Sequence, residues 1–595
     1  MRVLGGFFAL LALSVATSSV ADDSTPIFLD QGPGWDSSSR ADFYTRDQGS
    51  RLIPLAWLQA LKREDGSAFL AGGLTRYGYL PSLEGTSGLP VGFHAAGPAG
   101  AKIVGMTCSA CHTRQIRVEG RPYRIDGGPA LVDFQAFLDD LDKAVARATA
   151  DDTAFRTFAI SVLQTGSPSN DKVNALRRDV DAWYLRYHTI MDRALPQQGW
   201  GLGRLDAVGM IFNRVTGLDI GPEPSLLIPE NIRRADAPTR YPFLWNATKQ
   251  DKTQWPGFAD NGSDVLGLAR NVGEVLGVFA TYQPKRLGPL VNFLNNNSAN
   301  FDGLQRLEDL VNRIGPPKWP WSIDVSLAAK GKEVFERSTA AGGCSECHSP
   351  KAGKVRFPFQ QTWATPIQNV GTDTRQYDVL AWTAKSGVLK GAFIPFATKP
   401  LKETDLAFNI LATSVIGTIA QHVVSFSSGS SSPMLGTAVE PGAAAGTSAP
   451  IDASQLPPVL QDLPGAFQVP DAVVTPAVRL QLGLDAGSPA APKGAYESRV
   501  LHGIWAAAPY LHNGSVASLA ELLKPSAQRQ KQFLVGGDYD LEAIGLASNQ
   551  AQPEYVRETT GCDDLNSGNS RCGHEFGTGL LDTEKRALLE YLKTL

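Results

Sequence analysis

Methionine and cysteine are scarce in this chain of 595 residues, at five and six, and its charges nearly cancel to a formal net of -4. So small a net charge offers no basic face, which argues against nucleic acid and leaves small molecules, redox proteins or a polymer substrate. Long hydrophobic runs are lacking too. The stretch "LAFNILATSVIGTIA", residues 406–420, is broken by Asn, Thr, Ser and Gly and reads as a buried helix rather than a membrane span. At the start, Met1 and Arg2 precede the apolar "VLGGFFALLALSVA", and "SSVA" ends at Ala21 before Asp22 and Asp23. That layout predicts a secretory signal peptide over 1–21, cut after Ala21. The mature protein is therefore expected to be periplasmic or secreted, with no membrane span.

What the chain has in plenty is glycine and proline, 59 and 39 residues, which predict long irregular connections rather than idealised helices. The composition is otherwise that of a globular protein, 43% hydrophobic and 19% charged, long enough for several cores or two enlarged domains.

Four of the six cysteines stand in two copies of one pattern. "GMTCSACHTRQ" holds Cys108, Cys111 and His112; "GGCSECHSP" holds Cys344, Cys347 and His348. A structural zinc site would need both halves folded round one ion, and its tetrahedron asks for no histidine after each second cysteine. A thioredoxin-type disulfide tolerates that histidine but expects a compact strand-then-helix setting. Haem attachment accounts for every letter: two thiols form thioethers to the porphyrin, and the adjacent histidine turns back to ligate iron. Two covalently bound haem c groups are the expected cofactors, with His112 and His348 as proximal ligands. The remaining pair, Cys562 and Cys572, is expected to close a small loop as a disulfide.

Function depends on the other face of each haem, because a closed six-coordinate iron passes electrons whereas an open one binds oxygen or peroxide. Met106 sits too close to Cys108 to cross the ring, and Met191, Met210 and Met434 lie in no convincing ligand setting. Among histidines, His574 follows Cys572 in "CGHEFGTGLLDTEKRALLEYLKTL", on a loop the disulfide would stiffen. It leads as distal ligand of the second haem, with His512 of "PYLHNGS" as the alternative or as a propionate contact. His94 is expected in a loop or as a propionate contact, and His188 on a polar helix face. The first haem then keeps an accessible side, and His112 serves the reactive iron.

The expected fold is mainly α with long irregular loops, built as two cytochrome c-like haem domains with large insertions. "PPKWPWS" marks the junction, giving an N-terminal haem domain over 22–317 and a C-terminal one over 318–595, with a Ser/Gly/Ala/Pro-rich insertion near 426–462. Helices are expected in "GGPALVDFQAFLDDLDKAVARATA", "WGLGRLDAVGMIFNRVTG", "LGLARNVGEVLGVFATYQP" and "AAKGKEVFE", and a final one capped by Asp582. Arg270 and Glu274 are expected to pair along one helix, with a distal acid-base role as the alternative for Glu274. The aromatics Phe243, Trp245, Trp255 and Phe258 are expected in the core, with lining of a substrate cavity or an electron relay as the alternative.

The two boxes, the signal peptide and "APYLHNGSVASLAELL" together resemble the di-haem cytochrome c peroxidase superfamily. The likeness is nearest to its branch of secreted rubber oxygenases, carried by "GMTCSACHT", "RIDGGPALVDFQ", "GRLDAVGMIFNRV", "RNVGEVLGVFA", "GIWAAAPYLHNGS" and "GHEFGT". That resemblance implies an N-terminal haem that binds dioxygen and a C-terminal haem held by two histidines, His348 and His574 here. No methionine follows "PYLHNGS", where typical members of the peroxidase group place theirs. The expected activity is a haem-dependent oxidoreductase using dioxygen or peroxide against an apolar small molecule or polymer, with a redox partner protein where electrons are delivered. Alternatives are a non-catalytic periplasmic electron-transfer cytochrome, a typical di-haem cytochrome c peroxidase, or a factor acting on a partner protein.

Overall fold

The computed structural model describes residues 25–83, 88–288, 290–356, 359–393, 400–427, 493–551 and 555–595. The signal peptide expected over 1–21 lies outside them, as does the insertion expected near 426–462 from residue 428 onward.

Helices form where apolar residues recur every three or four positions behind a capping side chain. Phe134–Thr149 starts on Asp133, whose carboxylate accepts from the N–H of Ala136, and buries Phe137, Leu138 and Leu141 on one face. Ala207–Leu218 and Asp264–Gly277 start in the same way on Asp206 and Ser263. The apolar stretch near residue 410 is a helix, Ala407–Ser427, with Ile410, Val415 and Ile419 buried. Among the described residues no helix is long and apolar enough to cross a membrane. The last helix runs Asp582–Leu592; Asp582 is its first residue rather than its cap, and Glu584 folds back to accept from the N–H of Leu581.

The fold is not mainly α, contrary to the expectation from sequence. The described chain is 39% helix and 18% strand, and the strands form small sheets of two or three members. Glycine and proline do interrupt the helices, but the connections they create are not structureless. Their buried backbone groups need partners, and short hairpins supply them. Phe93–Ala96 pairs with Ile103–Met106 directly before the first cysteine box, and Thr113–Val118 pairs with Arg121–Asp126 directly after it. Strands of two to six residues carry no long alternating pattern, so composition alone hides them.

Three large clusters of buried side chains make up the interior. One lies under residues 52–279, including helices Phe134–Thr149 and Asn170–Ala194. A second surrounds Ala207–Leu218, Asp264–Gly277 and Ala407–Ser427. The third joins N-terminal residues such as Trp35, Phe43 and Phe243 to Trp505, Tyr510, Leu588 and Leu592. Cys111 packs against the first cluster, and Cys108 and Cys344 against the third.

Candidate functional site

Both cysteine boxes fold into the same turn. The N–H groups of Cys111 and His112 donate to the carbonyl of Cys108, and those of Cys347 and His348 donate to the carbonyl of Cys344, all at 3.0–3.2 Å. Residues i, i+3 and i+4 thereby lie on one side of the turn. Gly92 holds the first turn in place: a Cβ there would meet the N of Ala110 at 2.0 Å, and its φ of +82° suits glycine. All four box thiols are free of disulfides. Burial pushes the Cys108 and Cys111 thiols up to about 12.

Each box opens onto its own cavity. The first, about 190 Å³, is lined by Cys108, Cys111 and His112 with Phe134, Val208 and Ile211. The second, about 180 Å³, is lined by Cys344, Cys347 and His348, and also by His512 and His574. The boxes therefore do not converge on a single ion, and the zinc arrangement is excluded. Each box histidine is oriented from behind: Nδ1 of His112 bonds the carbonyl of Pro242 at 2.9 Å, and Nδ1 of His348 bonds that of Arg499 at 2.7 Å. Such a bond places the proton on Nδ1 and leaves the Nε2 lone pair free for a metal.

His574 stands opposite His348. Their ring centres are 6.2 Å apart with 40° between planes. Nδ1 of His574 is buried and finds no partner outside its own residue. The loop that presents it is held at several points. Cys562 and Cys572 form the expected disulfide, with Cα atoms 5.2 Å apart. The guanidinium of Arg529 donates to the carbonyls of Arg571, Gly573 and His574, and the N–H of His574 donates to Val370 at 2.7 Å. His574 adopts φ +54°, a left-handed backbone that a non-glycine residue keeps only under such constraint. Burial, then the neighbouring His348, lowers its imidazole to about 3; burial lowers His112 to about 4 and also depresses His348. All three rings are thus neutral, the form that binds metal.

The other histidines are placed elsewhere. His512 is buried on the second cavity, but its ring stacks on Tyr496 at 3.8 Å and it is not paired face to face with His348. His94 lies in a strand and bonds Asp47 at 3.0 Å, and His188 bonds Asp142 at 2.9 Å; neither lines the first cavity. Met106 and Met210 do line it, as members of the first apolar cluster. Met434 lies outside the described residues.

Sequence reasoning misjudged one partnership and missed others. Arg270 does not pair with Glu274; it reaches Glu308 on the helix Phe301–Arg313, which also takes a bond from Asn271. Glu274 instead opens onto the first cavity and accepts from Nε2 of Gln254 at 3.3 Å. Burial raises its carboxyl against the lowering pull of Arg270. Phe243, Trp245, Trp255 and Phe258 are all buried as expected, and Phe243 and Trp255 in addition line both cavities. Arg240, Glu497 and Arg499 also line both, and no local spacing pointed to them.

Comparison with known proteins adds a family. Residues 495–534 match the family described as RoxA-like, cytochrome c-like. This supports the likeness to rubber oxygenase-type cytochromes. It also corrects the expectation of two cytochrome c-like domains, since the match is one short C-terminal stretch. The uncharacterized protein y4iJ of Sinorhizobium fredii is 30% identical over 626 aligned positions, covering 94% of this chain and 92% of that protein. The uncharacterized protein y4iM of the same organism is 26% identical over 376 positions, 60% of this chain and 64% of that one.

A c-type cytochrome holds haem, and the residues fit that group. The thiols are unbridged, each lies on a cavity with apolar walls, and each box histidine is fixed from behind. With metal–imidazole bonds of about 2 Å, two rings facing each other across one iron stand roughly 6 Å apart, which is the spacing of His348 and His574.

Proposed function

Because the chain belongs to the family of the Sinorhizobium fredii protein y4iJ and carries a RoxA-like cytochrome c-like segment, we propose that it is an exported di-haem c-type cytochrome oxidoreductase. Cys108, Cys111 and His112 would hold the first haem, which would supply the chemistry for dioxygen or peroxide. Cys344, Cys347, His348 and His574 hold the second, which transfers or stores electrons. One site falls on each side of the proposed domain junction near Pro317.

The observation that carries this reading is the asymmetry between the two cavities. His574 faces His348 at 6.2 Å, whereas His94 and His188 are tied to Asp47 and Asp142 away from His112. Bound haem would supply the redox chemistry; the chain's own residues govern what reaches it. Phe134, Val208, Ile211, Phe243 and Trp255 make the first cavity apolar, suited to excluding water and accepting an apolar small molecule or a polymer segment. Glu274, half-buried and bonded by Gln254, is placed to hold or move a proton beside that cavity. The carbonyl of Arg499 keeps the His348 ring turned towards the second cavity.

The Glu274–Gln254 pair favours a second reading, a di-haem cytochrome c peroxidase, since a carboxyl with an amide neighbour suits proton transfer to peroxide. Ligand binding tests the main reading: the reduced holoprotein should take up one carbon monoxide per chain, with one low-spin bis-histidine signal in the oxidised state. Two bis-histidine signals and no binding of carbon monoxide or cyanide would reduce the protein to an electron carrier. Turnover of peroxide by a reduced cytochrome, against oxygen uptake with an unsaturated hydrocarbon polymer, separates the peroxidase from the oxygenase.

A further inference from the structure

The wall between the two cavities is more cationic than the protein around it can neutralise. Arg240, Phe243, Trp255, Glu497 and Arg499 line both sides of it. Arg240 is 6% exposed, and its guanidinium donates only to backbone carbonyls among the described residues, those of Leu511 and Tyr241. It lies over the Trp255 ring at 4.8 Å. Burial and then the charge of Arg499 pull its pKa to about 9. Arg499 is 7% exposed, stacks over Phe243 at 4.2 Å and donates to Gln250. Among the described residues the carboxylate paired with it is Glu497, 4.0 Å away, and burial raises that carboxyl to about 7. Two buried guanidiniums thus share this wall with one carboxyl side chain, which stands beside Arg499. A buried charge left unpaired is strongly destabilising, so a group carrying carboxylates belongs at this wall.

We propose that Arg240 and Arg499 form a carboxylate-binding partition shared by the two haems, taking propionate oxygens from one haem on each side. The inference rests on the reading that both boxes carry haem. The backbone ties the partition to both proximal ligands: Pro242, two residues after Arg240, accepts from His112, and Arg499 itself accepts from His348. A cation beside both propionate sets favours the reduced, less positive form of each iron, so its loss should lower both potentials.

The test is spectroelectrochemical titration of the full holoprotein carrying R240L and, separately, R240K. Both midpoint potentials should shift downward in R240L and less so in R240K, which keeps the charge. A shift confined to one haem, or to neither, overturns the shared partition. A count of one haem per chain would instead overturn the di-haem reading on which it rests. Should R240L fail to mature, an experimental structure of the unaltered holoprotein decides the matter. The proposal requires Arg240 within hydrogen-bond distance of a propionate on each haem, and it falls if either haem lacks that contact.

Discussion

Replacing Cys562 and Cys572 together by serine should loosen the loop that carries His574, by an amount the structure lets us work out. The crosslink joins residues ten apart in sequence. Closing so short a loop removes about 9 cal/mol/K from the unfolded chain, or about 3 kcal/mol at 25 °C. Against it stands the left-handed backbone of His574, a strain of about 1–3 kcal/mol. Without the disulfide, the bonds from Arg529 and to Val370 must hold that strain alone. A loss of about 3 kcal/mol multiplies the population of the opened loop roughly 100-fold. The assay is urea titration of the ferric holoprotein, following haem absorbance and far-ultraviolet circular dichroism in parallel. In the wild type the two signals should change together. In the double serine variant the absorbance of the second haem should change at lower urea, before helix is lost. If absorbance and dichroism still coincide at the wild-type midpoint, the crosslink does not constrain the loop and the reasoning fails.

H574A should convert the second haem from low-spin to high-spin and spare the first, whereas H512A should leave both spectra unchanged; an unaltered H574A spectrum would transfer the ligand role to His512. E274Q should slow reaction of the reduced protein with peroxide on the order of 100-fold or more while carbon monoxide uptake stays the same, and an unchanged rate would remove Glu274 from proton transfer. For Asp206, burial raises the carboxyl to about 7, against bonds from the N–H groups of Gly209 and Ala237, from about 4 in the unfolded chain. Between those values the native state keeps a proton the unfolded chain has lost, so stability falls as pH rises. D206N keeps an acceptor for the helix cap without titrating, so thermal unfolding across that pH interval should show a shallower fall than wild type; parallel slopes would refute it.

Much of the site could be read from short spacings. The cysteine boxes are local, because i, i+3 and i+4 on one turn are enough to bring two thiols and an imidazole to one side. The disulfide and the helices Phe134–Thr149, Ala207–Leu218, Asp264–Gly277 and Val325–Phe335 were likewise legible, from short loop closure and from apolar periodicity. Other features were not. Arg270 sits one helical turn from Glu274, yet it turns to Glu308, because a buried cation is better neutralised by a carboxylate that the neighbouring helix points at it. His574 led His512 in sequence because of the neighbouring disulfide, but sequence left both open. Only packing stacked one on Tyr496 and set the other across from His348.

By itself, then, the sequence determined which thiols and imidazoles share one turn, since that needs only neighbours along the chain. Tertiary structure decided the rest. It paired short strands that no periodicity announced, and it turned Glu274 towards the first cavity. It also raised a wall of Arg240 and Arg499 between residues far apart in sequence. The physical reason is range: turns and helices are set by neighbours within a few positions, whereas opposed ligands, buried charges and shared walls exist only once distant segments close on one another.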